Sequence, residues 1–310
     1  MAATGLHISI AAEKVTSIAG LDISNSILTS LLVSALLIAF GVAVRMSLNA
    51  TSSTTRPKGI QNLAEMIVEG LYGLVYGVTN SHTKTRHFFP LVATFFLFIL
   101  LNNWLGLVPG VGTIGFYEES GEHAQLLPSQ MTVDSPQAYA ATPTVEHATE
   151  TEVLENPENG ASGATEVTHA EETPATTKTF VPYFRAGTAD LNTTLALGLI
   201  SVIATQFFGV WYQKLSYFKK FINFSSPITF FIGILETVLE LAKVVSFAFR
   251  LFGNIFAGEV LLAVITFLVP IVVPMPFYGL EVIVGAIQAL VFAMLSVVFF
   301  NMATLGHEEH

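Results

Sequence analysis

At 310 residues, 52% of them hydrophobic and only 12% charged, with a mean hydropathy of +0.62, the chain falls outside the range of soluble globular domains and belongs in a membrane. It has no cysteine, which excludes disulfides, thiolate metal sites and thiol nucleophiles. The net charge of −10 does not describe an acidic binding face: between Gly110 and Ala189 twelve acidic residues stand against Lys178 and Arg185, so that stretch carries the imbalance and the remainder is neutral.

Residues 1–26 form an N-terminal segment with one lysine and no apolar core leading to a small-residue cleavage site, so no removable signal peptide is expected. Residues 27–112 hold two apolar spans, about Ile27 to Leu48 and Phe88 to Val108, each long enough for one crossing. Between them Ile60, Leu63, Ala64, Ile67, Val68, Leu71, Leu74 and Val75 recur at helical spacing, with Gln61, Asn62, Glu65 and Glu69 on other faces. That pattern predicts an interfacial amphipathic helix or a connector packed on its neighbours.

Residues 113–182 are rich in Glu, Thr, Ala and Pro and nearly free of aromatic residues. Such a segment buries too little apolar area to offset its ordering entropy, so an acidic, disordered external insert is expected. Its His123, His147 and His169 stand too far apart for a ligand set. Residues 183–226 contain a third span, Leu191 to Tyr212, and a loop.

Residues 227–310 are different. From Pro227 to Pro270 no proline intervenes, and a helix of that length extends roughly 63 Å, about twice the hydrocarbon thickness. Either it is broken near Gly253 or Gly258, or it lies roughly 60° from the membrane normal. Phe277 to Leu305 is a second overlong stretch, and the two should pack as a slanted antiparallel hairpin. The fold class is thus an all-α integral membrane protein of about five membrane helices plus one interfacial helix.

Arg45, Arg56, Lys58, Lys84 and Arg86 flank the first connection, and Lys214, Lys219 and Lys220 follow span three. The excess of positive residues puts both on the cytoplasmic side, with the N-terminus and insert outside and the tail His307 to His310 inside.

Charges within membrane segments are costly and need a reason. The long segment carries Glu236, Glu240, Lys243, Arg250, Asn254 and Glu259; the last adds Glu281 and Gln288. At about 100° per residue Glu236, Lys243, Arg250 and Asn254 share one face, while Glu259 falls about 180° from Arg250 if the helix is straight. Glu240, about 80° off that face, is expected to be structural or to face lipid headgroups, and Lys243 to snorkel or face a partner. Glu236 lies roughly 21 Å before Arg250 along the axis and Glu259 roughly 14 Å after it. Carboxylates on either side of a permanently charged arginine suit proton transfer by two half-paths with the arginine as separator. A structural ion pair of Arg250 with Glu236 or Glu240 is disfavoured because those residues lie on other turns.

The stretch Ser246 to Glu259, SFAFRLFGNIFAGE, closely resembles the signature of the a subunit of F-type ATP synthases, with Arg250, Leu251, Phe252, Gly253, Asn254, Ala257, Gly258 and Glu259 at the matching positions. Weaker similarity covers RPKGIQNLAEMIVEG, FPLVATFFLFILLNNWLGLVPG and ADLNTTLALGL, the last with Asp190 and Asn192 at the mouth of span three. The acidic insert departs from the family, and Glu281 stands where some members carry a histidine. The resemblance implies a non-catalytic, proton-conducting stator subunit, with Arg250, Glu259, Asn254, Glu281, Gln288 and Glu236 in proton translocation and Lys243, Asp190 and Asn192 as further candidates. It implies as partners a rotating ring of c subunits, peripheral-stalk b subunits, the rest of the synthase and the lipid bilayer, in a bacterial inner membrane. No cofactor, metal or nucleic acid is expected, and no phosphate-cradling motif is present. The competing reading, a proton-coupled secondary transporter, should show paired halves with two interrupted helices, and no internal repeat is found.

Overall fold

A computed structural model describes residues 12–18, 20–50, 59–108, 110–119, 178–221, 226–269 and 272–305. Six helices of twenty residues or more run through them: α1 (Asn25–Ala50), α2 (Ile60–Thr79), α3 (His82–Leu107), α4 (Leu191–Gln213), α5 (Pro227–Leu268) and α6 (Pro274–Thr304). All but α2 are long and apolar enough to cross a membrane, so the chain is a multi-pass, predominantly helical membrane protein.

Two departures from an all-α architecture occur, both at segment margins. Strands β1 (Lys14–Ile18) and β2 (Leu21–Ser24) form an antiparallel hairpin turning at Gly20, whose φ of 82° suits a residue without a Cβ. Strands β3 (Gly115–Glu119) and β4 (Lys178–Pro182) pair with each other, which draws the ends of the acidic stretch out of the expected disorder. The aromatic residues at those ends are the reason: Tyr117 stacks edge-on with Phe180, Phe116 lies against Tyr183, and Tyr183 N–H donates to the Ile114 carbonyl. The rest of the acidic stretch, with its three histidines, lies outside the described residues, as does the His307–His310 tail.

The core is built where α3, α4, α5 and α6 meet. On α3, Phe88, Val92, Phe95 and Ile99 recur every three or four residues and all are buried. Phe88 meets Phe208 of α4 and Phe300 of α6 at 4.8 and 5.6 Å, and Phe292 of α6 meets Phe95 and Phe247 at 5.4 and 4.7 Å. Aromatic pairs at these separations add to the packing that must hold helices together where lipid removes the hydrophobic drive. Helix α4 approaches α5 closely at Gly198, where a Cβ would stand 3.0 Å from the Val244 carbonyl oxygen.

Helix α5 is one uninterrupted helix of 42 residues; neither Gly253 nor Gly258 breaks it. Its pairing with α6 is antiparallel, because Lys243 reaches Phe299, Phe247 reaches Phe292, and Gly258 reaches Glu281. Only a stripe of α5 is buried, including Glu240, Phe247, Leu251, Ile255, Gly258 and Leu262, while Phe231, Leu235, Leu239, Phe249 and Phe267 face outward. Helix α2 buries Ala64, Leu71 and Val75 against α1, α3 and α6 but leaves Leu63, Val68 and Leu74 exposed, so only part of its apolar pattern packs within the chain.

Candidate functional site

The charged groups of α5 fall into a middle and two ends. In the middle, Arg250 is exposed, and among the described residues it has no ion pair and no hydrogen bond. The next residue, Leu251, is fully buried against the bundle, so the helix turns its guanidinium outward by geometry alone. Asn254, one turn on, is half-buried and makes no hydrogen bond among the described residues.

Toward the start of α5, Glu240 is buried and its Oε1 accepts a hydrogen bond from Lys243 Nζ at 2.7 Å. Lys243 Nζ also lies 4.8 Å from the centre of the Phe299 ring. Lys243, expected to snorkel or face a partner, is paired with Glu240 within the chain, and Glu240 takes the structural one of its two expected roles. The i,i+3 spacing brings the two side chains together, and α4 and α6 cover them. Beside them the 3-10 turn Lys214–Lys220 presents Tyr217, whose hydroxyl donates to Gln206 Oε1 at 2.8 Å and whose ring fills the space left by Gly209. Burial, then the charges of Glu240 and Glu236, push the Tyr217 phenol up to about 12. Glu236 is half-buried nearby.

Toward the end of α5, Arg185 closes a two-pronged ion pair on Glu259. Its Nε lies 2.9 and 3.0 Å from Oε1 and Oε2, and Nη2 lies 2.9 Å from Oε2. The Arg185 side chain is 8% exposed and that of Glu259 is 39% exposed. Sequence reasoning missed Arg185 by counting it as a loop charge; the signal that could have separated it is its place beyond the acidic stretch, just after Tyr183 and Phe184 and just before α4. In the uninterrupted helix Glu259 lies nine residues beyond Arg250, about 180° around the axis.

Arg185 and Glu259 border a cavity of about 540 Å³, which Asn103, Tyr278 and Glu281 also line. Glu281 is buried and its carboxyl lies against the Cα of Gly258, where a Cβ would come within van der Waals contact of both its oxygens. Gly258 is therefore the absence of a side chain that lets a carboxyl sit between α5 and α6. Asn103 is fixed beneath them: its Nδ2 donates to the Gly285 carbonyl at 3.0 Å, and its Oδ1 accepts from the Thr188 hydroxyl.

Gln288 is buried two turns from Glu281, with Nε2 unpartnered among the described residues, and does not line this cavity; nor does Asn254. Asp190 is the N-cap of α4, accepting from the Asn192 N–H at 3.0 Å, and Asn192 is exposed. A helix cap accounts for Asp190, and neither residue reaches the cavity.

The family model described as ATP synthase A chain matches residues 27–301. The chain is also similar to the ATP synthase subunit a, chloroplastic, of Stigeoclonium helveticum, at 28% identity over 302 residues, covering 97% of this chain and 93% of that relative.

Proposed function

The chain belongs to the ATP synthase A chain family, the proton-conducting and non-catalytic membrane subunit of that complex, and from this we propose that it carries protons through two offset half-paths separated by Arg250. One half-path is the cavity at Glu259 and Glu281. The other leaves past Glu236. Between them protons are carried by the carboxyl groups of a rotating ring of c subunits passing the exposed face of α5. Gln288 and Asn254 lie between the cavity and Arg250 and complete the polar connection to the ring. Peripheral-stalk b subunits are the further proposed partners. The positive residues around the first connection and after α4 favour an orientation with the Glu259 end outward and the Glu236 end toward the cytoplasm of a bacterial inner membrane; the relative named above is chloroplastic.

The observation that carries this reading is the isolation of Arg250. An arginine exposed on a membrane helix and unpaired among the described residues is too costly to leave in lipid. A carboxylate supplied by another subunit satisfies it, and because arginine stays protonated in proteins it bars a proton from passing directly between half-paths. The test is ATP-driven proton pumping by membrane vesicles holding the complex with Arg250→Ala. Pumping should vanish while the complex stays assembled; pumping near the unaltered level would mean the arginine is structural.

A further inference from the structure

The cavity at the end of α5 holds two carboxyl groups in unequal circumstances. Glu259 is gripped by the Arg185 fork, whereas Glu281, resting on Gly258 of the facing helix, has neither a cation nor a hydrogen bond among the described residues. The two halves of the ion pair are also unequal. Arg185 is almost wholly enclosed, and its carboxylate partner stays more than a third open. An ion pair serving only to join loop to helix has no need to leave one member open to a cavity, while a proton acceptor must be reachable.

Arg185 is held independently of Glu259. Its backbone N–H donates to Thr29 Oγ1 of α1 at 3.2 Å, and Ala186 beside it is pressed so closely onto Gly106 of α3 that a Cβ there would stand 2.6 Å away. Its guanidinium carbon lies 6.0 Å from the centre of the Phe256 ring, one turn before Glu259 on α5. The cation is thus built into the junction of α1, α3 and α5, and the carboxylate comes to it.

We propose that Arg185 is a positioning residue of the outer half-path. It fixes the Glu259 carboxylate on the cavity wall; a proton arriving from the cavity binds Glu259 and displaces the fork, passes through the shared cavity to the Glu281 carboxylate, which rests on Gly258 beside Glu259, and the ion pair closes again behind it. No atom is exchanged beyond the proton, and Arg185 keeps its charge throughout. The inference rests on the reading that Glu259 lies in the proton path.

The test compares ATP-driven pumping, per assembled complex in membrane vesicles, for Glu259→Gln, Arg185→Gln, Arg185→Lys and the neutral double Arg185→Gln/Glu259→Gln. Removing one partner of an enclosed, hydrogen-bonded charge pair should lower pumping by about tenfold or more in each glutamine single. Arg185→Lys, which keeps the charge without the fork, should recover part of that loss. In the double neither member of the pair is left charged without the other, so it should assemble even if Arg185→Gln does not, and it should pump like Glu259→Gln alone. If Glu259→Gln is impaired and Arg185→Gln pumps normally, the role of Arg185 is overturned and the path through Glu259 survives. A double that pumps several-fold worse than Glu259→Gln shows Arg185 acting on something else and also overturns it. Normal pumping by Glu259→Gln removes the path reading and this inference with it.

Discussion

Seven residues before Arg250, Lys243 is tied to Glu240; nine after it, Glu259 is tied to Arg185; Arg250 itself is tied to nothing among the described residues. All three positions belong to one uninterrupted helix, so a difference of element does not explain the difference in pairing. What differs is coverage. The Lys243 position is roofed by Phe299 of α6 and the Glu259 position by the loop before α4, while Arg250 itself is exposed among the described residues. Two of the three charges are satisfied within the chain, and the third is the one proposed to meet a moving partner.

The comparison predicts effects of decreasing size. Arg250→Ala should abolish pumping, since no neighbouring cation can replace an unpaired one. Gly258→Ala should come next: its methyl group takes the space of the Glu281 carboxyl and displaces it from the cavity. Pumping should fall by about tenfold, the consequence of roughly 1.4 kcal/mol lost from the rate-limiting transfer. Stability in detergent should not fall with it, because alanine is favoured over glycine inside a helix by about 0.5–1 kcal/mol. A variant that loses stability and keeps pumping would show that Gly258 serves helix packing instead.

Lys243→Met should act on stability. It strips the cation from buried Glu240, whose Oε2 already lacks a hydrogen-bond partner among the described residues; with Lys243 a quarter exposed, the loss should be about 1–3 kcal/mol. Denaturant unfolding of the purified chain in micelles measures it, and adding Glu240→Gln should restore most of it. Failure of the second substitution to help would mean that Lys243 contributes through Phe299 and not through the ion pair.

The smallest effect concerns Tyr217. Its phenol ionises near 10 when unfolded and only at about 12 in the fold. Between those values the unfolded chain releases a proton that the folded chain keeps, so stability falls as pH rises from 10 toward 12, and below 10 Tyr217 contributes no slope. Unfolding midpoints across that interval should fall less steeply for Tyr217→Phe than for the unaltered chain.

Much of this was legible in the sequence. Apolar length set the five spans, the absence of proline between Pro227 and Pro270 marked that segment as too long for one upright helix, and the 3.6-residue period put Glu259 opposite Arg250 only on the condition that no bend intervened. These follow from local rules, in which hydrogen bonds within a helix and the thickness of a bilayer fix the element before any partner is known. The continuity of α5 through Gly253 and Gly258 was not decided locally, because glycine only weakens a helix by a small amount and packing against α6 outweighs it.

Pairing was decided by the tertiary structure alone. Arg185 and Glu259 are separated by more than seventy residues, and Gly258 and Glu281 belong to different helices; no period links them. By itself the sequence determined how many helices there are, how long they run and which residues share a face, since those depend on backbone geometry and on solvent. Which charge meets which, and which stays unpaired among the described residues, depends on the elements that happen to cover each face, and only the folded arrangement of α1, α3, α4 and α6 around α5 supplies that.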